Sequence, residues 1–154
     1  MDADVIALAT ALGRVDAAHR RLRTRVAHRL GVTVTDLTAL LVVSEADEST
    51  PKHLAAELGL TTGSVTTVID RLVDAGQVRR TPRAGDRRSI LVELTAAGRH
   101  TIQIVTGLYL GAIAIALESS SNSVSTQILD SLQHTADALD GAERTRDRDI
   151  RLLA

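Results

Sequence analysis

Between Thr50 and Gly76 the sequence writes two helices, each with its own start and stop, and leaves almost nothing between them. Thr50 offers a side-chain oxygen to orphan N–H groups, and Pro51 takes the first helical position, where a missing N–H costs nothing. Gly59 can close this helix once Leu54, Ala55 and Leu58 have turned inward. Only Leu60 then precedes Thr61, the cap of a second helix. In it Val65, Val68, Ile69, Leu72 and Val73 follow at i, i+3, i+4, i+7 and i+8, and Gly76 stops it. Two helices joined by so short a turn form a helix-turn-helix, whose second helix is shaped to enter a DNA major groove. The face opposite its apolar stripe carries Thr62, Ser64, Thr66, Thr67 and Arg71, short hydrogen-bonding groups and one long cation able to reach base edges or phosphates. Threonine is a poor choice for a merely solvated helix face, because its β-branch restricts the side chain against the preceding turn.

Beyond Gly76 the period falls from 3.6 to 2. Val78 to Pro82 and Ser89 to Leu94 read as the strands of a hairpin, with Ile90, Val92 and Leu94 on one face. Its polar connection, Arg83-Ala84-Gly85-Asp86-Arg87-Arg88, is rich in guanidinium groups that could grip phosphates or enter a narrow minor groove. A net charge of −1 conceals this segregation: Arg79, Arg80, Arg83, Arg87 and Arg88 face a lone Asp86, while residues 31–50 hold four acids and no base. The local charge is the one a phosphate feels, since salt screens the field within about 8 Å.

The flanks read as helices that need partners. Val5, Leu8, Leu12, Val15, Leu22 and Val26 recur at intervals of three, four or seven, with His19 on the same seam, and Gly31 closes the run. Arginines 20, 21, 23, 25 and 29 surround that seam, so this helix is expected to pack on a second chain, although packing within its own chain would use the same seam. A helix over 35–46 is expected to bury Leu37, Leu40, Leu41 and Ser44. Thr95 caps a long connecting helix over 96–118, apolar nearly all round its second half and so expected to be covered on several sides. Its stretch from Ile104 to Leu117 is shorter than the roughly 20 residues of a bilayer span and is broken by Thr106, Gly107 and Gly111, which predicts a buried helix and no membrane. Ser119 to Ser123 is a linker; Val124, Ile128, Leu132, Ala136 and Leu139 stripe a last helix, and Glu143 to Arg151 is expected to fray. Aromatics are 1% of the chain, so the core must be aliphatic, with Tyr109 its one ring, either core or the lining of an effector pocket.

Several chemistries are excluded or unsupported. Without cysteine there is no disulfide, thiolate metal site or thiol redox sensor. His19, His28, His53, His100 and His134 show no ligand spacing beside carboxylates, so no metal, cofactor or catalytic residue is expected, and the chain is not read as an enzyme. An acidic start in place of a basic leader points to the cytoplasm.

From Leu54 to Gly98, LAAELGLTTGSVTTVIDRLVDAGQVRR followed by GDRRSILVELTAAG resembles the MarR family of bacterial transcriptional regulators in recognition helix, Asp-x-Arg wing and Leu-Thr-x-x-Gly lead into the next helix. The resemblance implies a mainly α fold: a winged helix-turn-helix over 35–98, with a three-helix core and a β-hairpin wing, joined by the connecting helix to N- and C-terminal dimerisation helices over 1–34 and 119–154. It implies a homodimer on double-stranded DNA, typically a repressor, responsive to a small apolar or anionic effector. Carried over by residue, Ser64, Thr66, Thr67 and Arg71 fall on the exposed recognition helix, and Asp86 and Arg88 on the wing, where the aspartate can orient the arginine's fork beside Arg83 and Arg87. Thr67 stands where relatives often carry a longer basic residue, which shifts expected affinity toward the wing. The competing reading is a winged-helix adaptor for protein partners, against which the basic wing argues, since an adaptor has no need of one.

Overall fold

The structure, a computed structural model, describes residues 3–83, 86–118 and 122–150, with the side chains of 86–88, 122–125, 140 and 142–150 outside that description. The order of elements is α1 (Ala3–Leu30), α2 (Val34–Glu45), α3 (Pro51–Leu58), α4 (Thr62–Asp74), β1 (Val78–Arg83), β2 (Asp86–Leu94), α5 (Ala96–Leu117) and α6 (Asn122–Ile150). They divide into two compact units, 1–107 and 108–154.

The expected punctuation is in place. Thr50 Oγ1 accepts from the His53 N–H at 3.1 Å, and Gly59 ends α3 at φ 61°. Thr61 caps α4 by accepting from the Ser64 N–H, and Gly76 follows that helix at φ 66°. Gly31, at φ 68°, lets the Val32 N–H turn back to the Ala27 carbonyl at 3.0 Å, so α1 stops there. Between the helices sits an aliphatic core: Leu40 and Val43 of α2, Leu54 of α3, Val65, Val68, Ile69 and Leu72 of α4, closed by Val78 and Val92 of the hairpin. Each of the larger side chains removed from water there contributes about 1.5–3 kcal/mol, which fixes α4 on α2 and α3.

The strands pair antiparallel from Val78↔Leu94 to Pro82↔Ile90, and an irregularity between Pro82 and Arg83 leads to Arg83↔Asp86. They reach farther toward the tip than the sequence pattern predicts. On its other edge β2 is tied down by the Val92 N–H, which donates to the Ser49 carbonyl at 2.8 Å. The expected inward face of β2 needs one correction: Val92 is buried and Leu94 half-buried, but Ile90 is exposed, since it lies past the reach of the core.

Three further expectations change. In α2 the inward residues are Asp36, Leu37, Ala39, Leu40 and Val43; Leu41 is half-buried, and Ser44 is exposed, its hydroxyl donating to the Leu41 carbonyl at 2.7 Å. The helix is apolar nearly all round, so its pattern carries no phase. In α5 the buried residues, Gly98, Thr101 and Val105, all lie in the first half, whereas Leu110, Ile113 and Ile115 of the second half are exposed. By length and composition α5 could cross a membrane, contrary to the estimate from its apolar stretch alone. Its first half is nevertheless built into the winged-helix unit by those three residues. Finally, α6 starts at Asn122, inside the expected linker, and remains helical to Ile150 where fraying is expected. It exposes Ile128, Leu129, Leu132 and Leu139, and α1 exposes Val5, Leu8 and Val15 of its seam; Val124 lies outside the described side chains.

Candidate nucleic-acid interface

Helix α4 presents Thr62, Ser64, Thr66 and Thr67 on its exposed side, as its stripe demands. The Thr66 hydroxyl donates to the Thr62 carbonyl at 2.9 Å and the Thr67 hydroxyl to the Gly63 carbonyl at 3.3 Å; Ser64 Oγ lies 3.0 Å from Thr61 Oγ1. These bonds hold the hydroxyls of Ser64, Thr66 and Thr67 while leaving lone pairs to accept from an outside donor, and a hydroxyl can also rotate to donate. The face is therefore ordered, uncharged and able to match either polarity of a base edge.

Arg71, placed by sequence on the same surface, has a partner of its own. Its Nη2 and Nε donate to the two oxygens of Asp36, the shortest at 2.6 Å, and the Asp36 side chain is only 5% exposed. The same carboxylate accepts from the Thr33 N–H at 3.1 Å, and Thr33 Oγ1 accepts from the Asp36 N–H, a capping box that opens α2. Burial alone would raise the Asp36 pKa; the hydrogen bonds from Arg71 and Thr33 outweigh it and hold the carboxyl below its ordinary value. The Thr33-x-x-Asp36 spacing was the signal that could have marked Asp36 as a structural acid.

Arg79, Arg80 and Arg83 of the hairpin are also matched with carboxylates. Arg79 donates from Nε and Nη2 to Glu93, its cross-strand neighbour, at 2.9 and 2.8 Å, and this contact depresses the Glu93 pKa. Arg80 pairs with Asp70 of α4, bracing the hairpin against that helix, and Arg83 pairs with Glu48 of the α2–α3 loop at 2.7 Å. Thus two of the four acids of the 31–50 segment, Asp36 and Glu48, are partners of Arg71 and Arg83, which sequence order hid. Asp86, Arg87 and Arg88 begin β2, but their side chains lie outside the described residues.

The wing is seated by the lead into α5. Thr95 Oγ1 accepts from the Gly98 N–H at 3.1 Å and donates to the Gly76 carbonyl at 2.6 Å; the Thr95 N–H donates to the Gln77 carbonyl at 3.0 Å. Gly98 faces that same carbonyl so closely that no side chain fits between them. Tyr109 is half-buried on α5. No group of three metal-ligating side chains occurs among the described residues.

A family model described as the MarR family matches residues 30–89. The HTH-type transcriptional regulator YcgE of Bacillus subtilis is 43% identical over 75 residues, 48% of this chain and 49% of that one. The multiple antibiotic resistance protein MarR of Escherichia coli is 32% identical over 95 residues, 62% of this chain and 66% of that one. The chain thus spans about half of the first relative and just under two thirds of the second. The structure of a MarR family protein from Bacillus stearothermophilus superposes with a TM-score of 0.75 at 21% identity, covering 91% of this chain and 99% of that one, and shows the shared fold.

Proposed function

We propose, from the premise that this chain belongs to the MarR family, that it is a sequence-specific DNA-binding repressor acting in the cytoplasm as a homodimer on a near-palindromic operator. The observation that carries this reading is the hydroxyl face of α4, exposed and ordered on a helix whose opposite side is locked into the core. A 13-residue helix is about 20 Å long, and a helix fits the major groove with its N-terminal residues at base edges. Thr62, Ser64, Thr66 and Thr67 would there read base edges, while Arg83, Arg87 and Arg88 of the wing, with Asp86 orienting a guanidinium, would hold the flanking backbone or minor groove.

A second copy accounts for the apolar residues exposed on α1, on the second half of α5 and on α6, none of which finds cover in its own unit. Two-fold symmetry would set two α4 helices about one turn of DNA apart, which is why the operator should be near-palindromic. A small apolar or anionic effector would relieve repression by binding the DNA-incompetent geometry of the dimer more tightly than the competent one. The pairing of Arg79, Arg80 and Arg83 with carboxylates favours a second reading, a winged-helix adaptor for protein partners, because it lowers the wing's net charge.

The two readings separate in one experiment. Duplexes are selected from a random pool by the wild-type protein, and binding is followed by fluorescence anisotropy over a salt series for wild type and Arg88→Ala. A regulator gives a preferred, near-palindromic sequence, a steep salt dependence, and a slope reduced by about one in Arg88→Ala. Failure to enrich any duplex at low salt leaves the adaptor.

A further inference from the structure

We propose that Asp36 is a positioning residue for DNA recognition, holding Arg71 so that α4 is fixed against the start of α2, with Arg71 a strut and not a phosphate contact. The proposal rests on the DNA-binding reading above. Asp36 is the one charged residue among the buried side chains described, and both of its oxygens are engaged by Arg71 from 35 positions along the chain.

The rest of the α2–α4 contact is aliphatic, through Leu40 and Val43 on one side and Val68, Ile69 and Leu72 on the other. Apolar burial is non-directional; it holds the helices together while tolerating a small roll or slide. A bidentate guanidinium–carboxylate pair is directional and defines one orientation. Arg71 lies in the last turn of α4 and Asp36 in the first turn of α2, three residues beyond the turn at Gly31-Val32-Thr33 that ends α1. The pair therefore ties the orientation of the hydroxyl face to the point where α1 joins the winged helix. An Arg71 used on DNA would instead leave a buried carboxylate without its counter-charge, at high cost.

The test is a two-by-two set, wild type, Asp36→Asn, Arg71→Gln and the double variant, on a duplex selected by the wild-type protein and on a scrambled one, over a salt series. The strut predicts that each single variant loses roughly tenfold in preference for the selected duplex, and that the double is no worse than either single, the signature of coupled residues. It also predicts an unchanged salt slope in Arg71→Gln, since no phosphate contact is lost. A purely structural role would lower the folded fraction without changing that preference per folded molecule. A slope reduced by about one in Arg71→Gln, tighter binding by Asp36→Asn, or losses that multiply in the double variant would each overturn the strut while leaving DNA binding intact. If Asp36→Asn does not fold, the slope in Arg71→Gln, at a half-exposed residue, decides alone. Absence of any preferred duplex for the wild type overturns both proposals.

Discussion

Substituting Gly98 by alanine adds one methyl group in the first turn of α5, where helix propensity alone would favour it by about 1 kcal/mol. The surroundings oppose it. A Cβ built at Gly98 overlaps the Gln77 carbonyl oxygen and stands 3.1 Å from both the Gln77 carbonyl carbon and Leu94 Cδ2. The carbonyl cannot withdraw freely, because it accepts from the Thr95 N–H at 3.0 Å, at the residue that caps α5. Relief therefore means displacing the N-terminus of α5 from the wing. Overpacking costs about 1–3 kcal/mol, and weakening the Thr95 bonds adds about 1 kcal/mol. After the propensity gain the expected loss is about 1–3 kcal/mol, a fall in Tm of roughly 3–10 °C for a domain of this size. Thermal and urea unfolding followed by circular dichroism read this directly, with Gly63→Ala, where nothing lies within 4 Å, as the control that should match or slightly exceed wild type. Gly98→Ala as stable as Gly63→Ala would refute the reasoning, because it would mean that the Gln77 carbonyl is not held.

Other outcomes follow from the ion pairs and the exposed faces. Because the folded Asp36 carboxyl is depressed below its unfolded value of about 3.9, its contribution is fully present above that pH and fades as pH falls through the folded pKa; Asp36→Asn should be less stable at neutral pH and lack that part of the acid slope in a pH series of urea midpoints. A steeper acid loss in the variant would contradict the assignment. Glu48→Gln frees Arg83 at a half-exposed pair, so stability should change by less than about 0.5 kcal/mol while duplex affinity rises by up to about fivefold, read by anisotropy; weaker binding would show that Glu48 orients Arg83 for DNA. Leu132→Glu, on the exposed stripe of α6, should convert a dimer to monomer at micromolar concentration by light scattering, and a monomeric wild type would remove the dimer altogether.

The sequence by itself determined where α3 and α4 begin and end and where α5 begins. Thr50-Pro51, Gly59, Thr61, Gly76 and Thr95 act through bonds to residues within about four positions, so a local reading suffices. It also fixed which side of α4 is free, because a clean 3.6-residue stripe leaves only one opposite face. Where apolar residues run all round, as in α2 and the second half of α5, no phase exists to read, and only packing showed that Ser44 turns outward and that Leu110, Ile113 and Ile115 are exposed. The arginines illustrate the remaining limit. Sequence placed Arg71 and Arg83 in a basic surface and Asp36 and Glu48 in a distant acidic segment; the tertiary structure brings these into pairs at 2.6 and 2.7 Å, because the partner of a charge is set by which elements the core presses together and not by its neighbours along the chain.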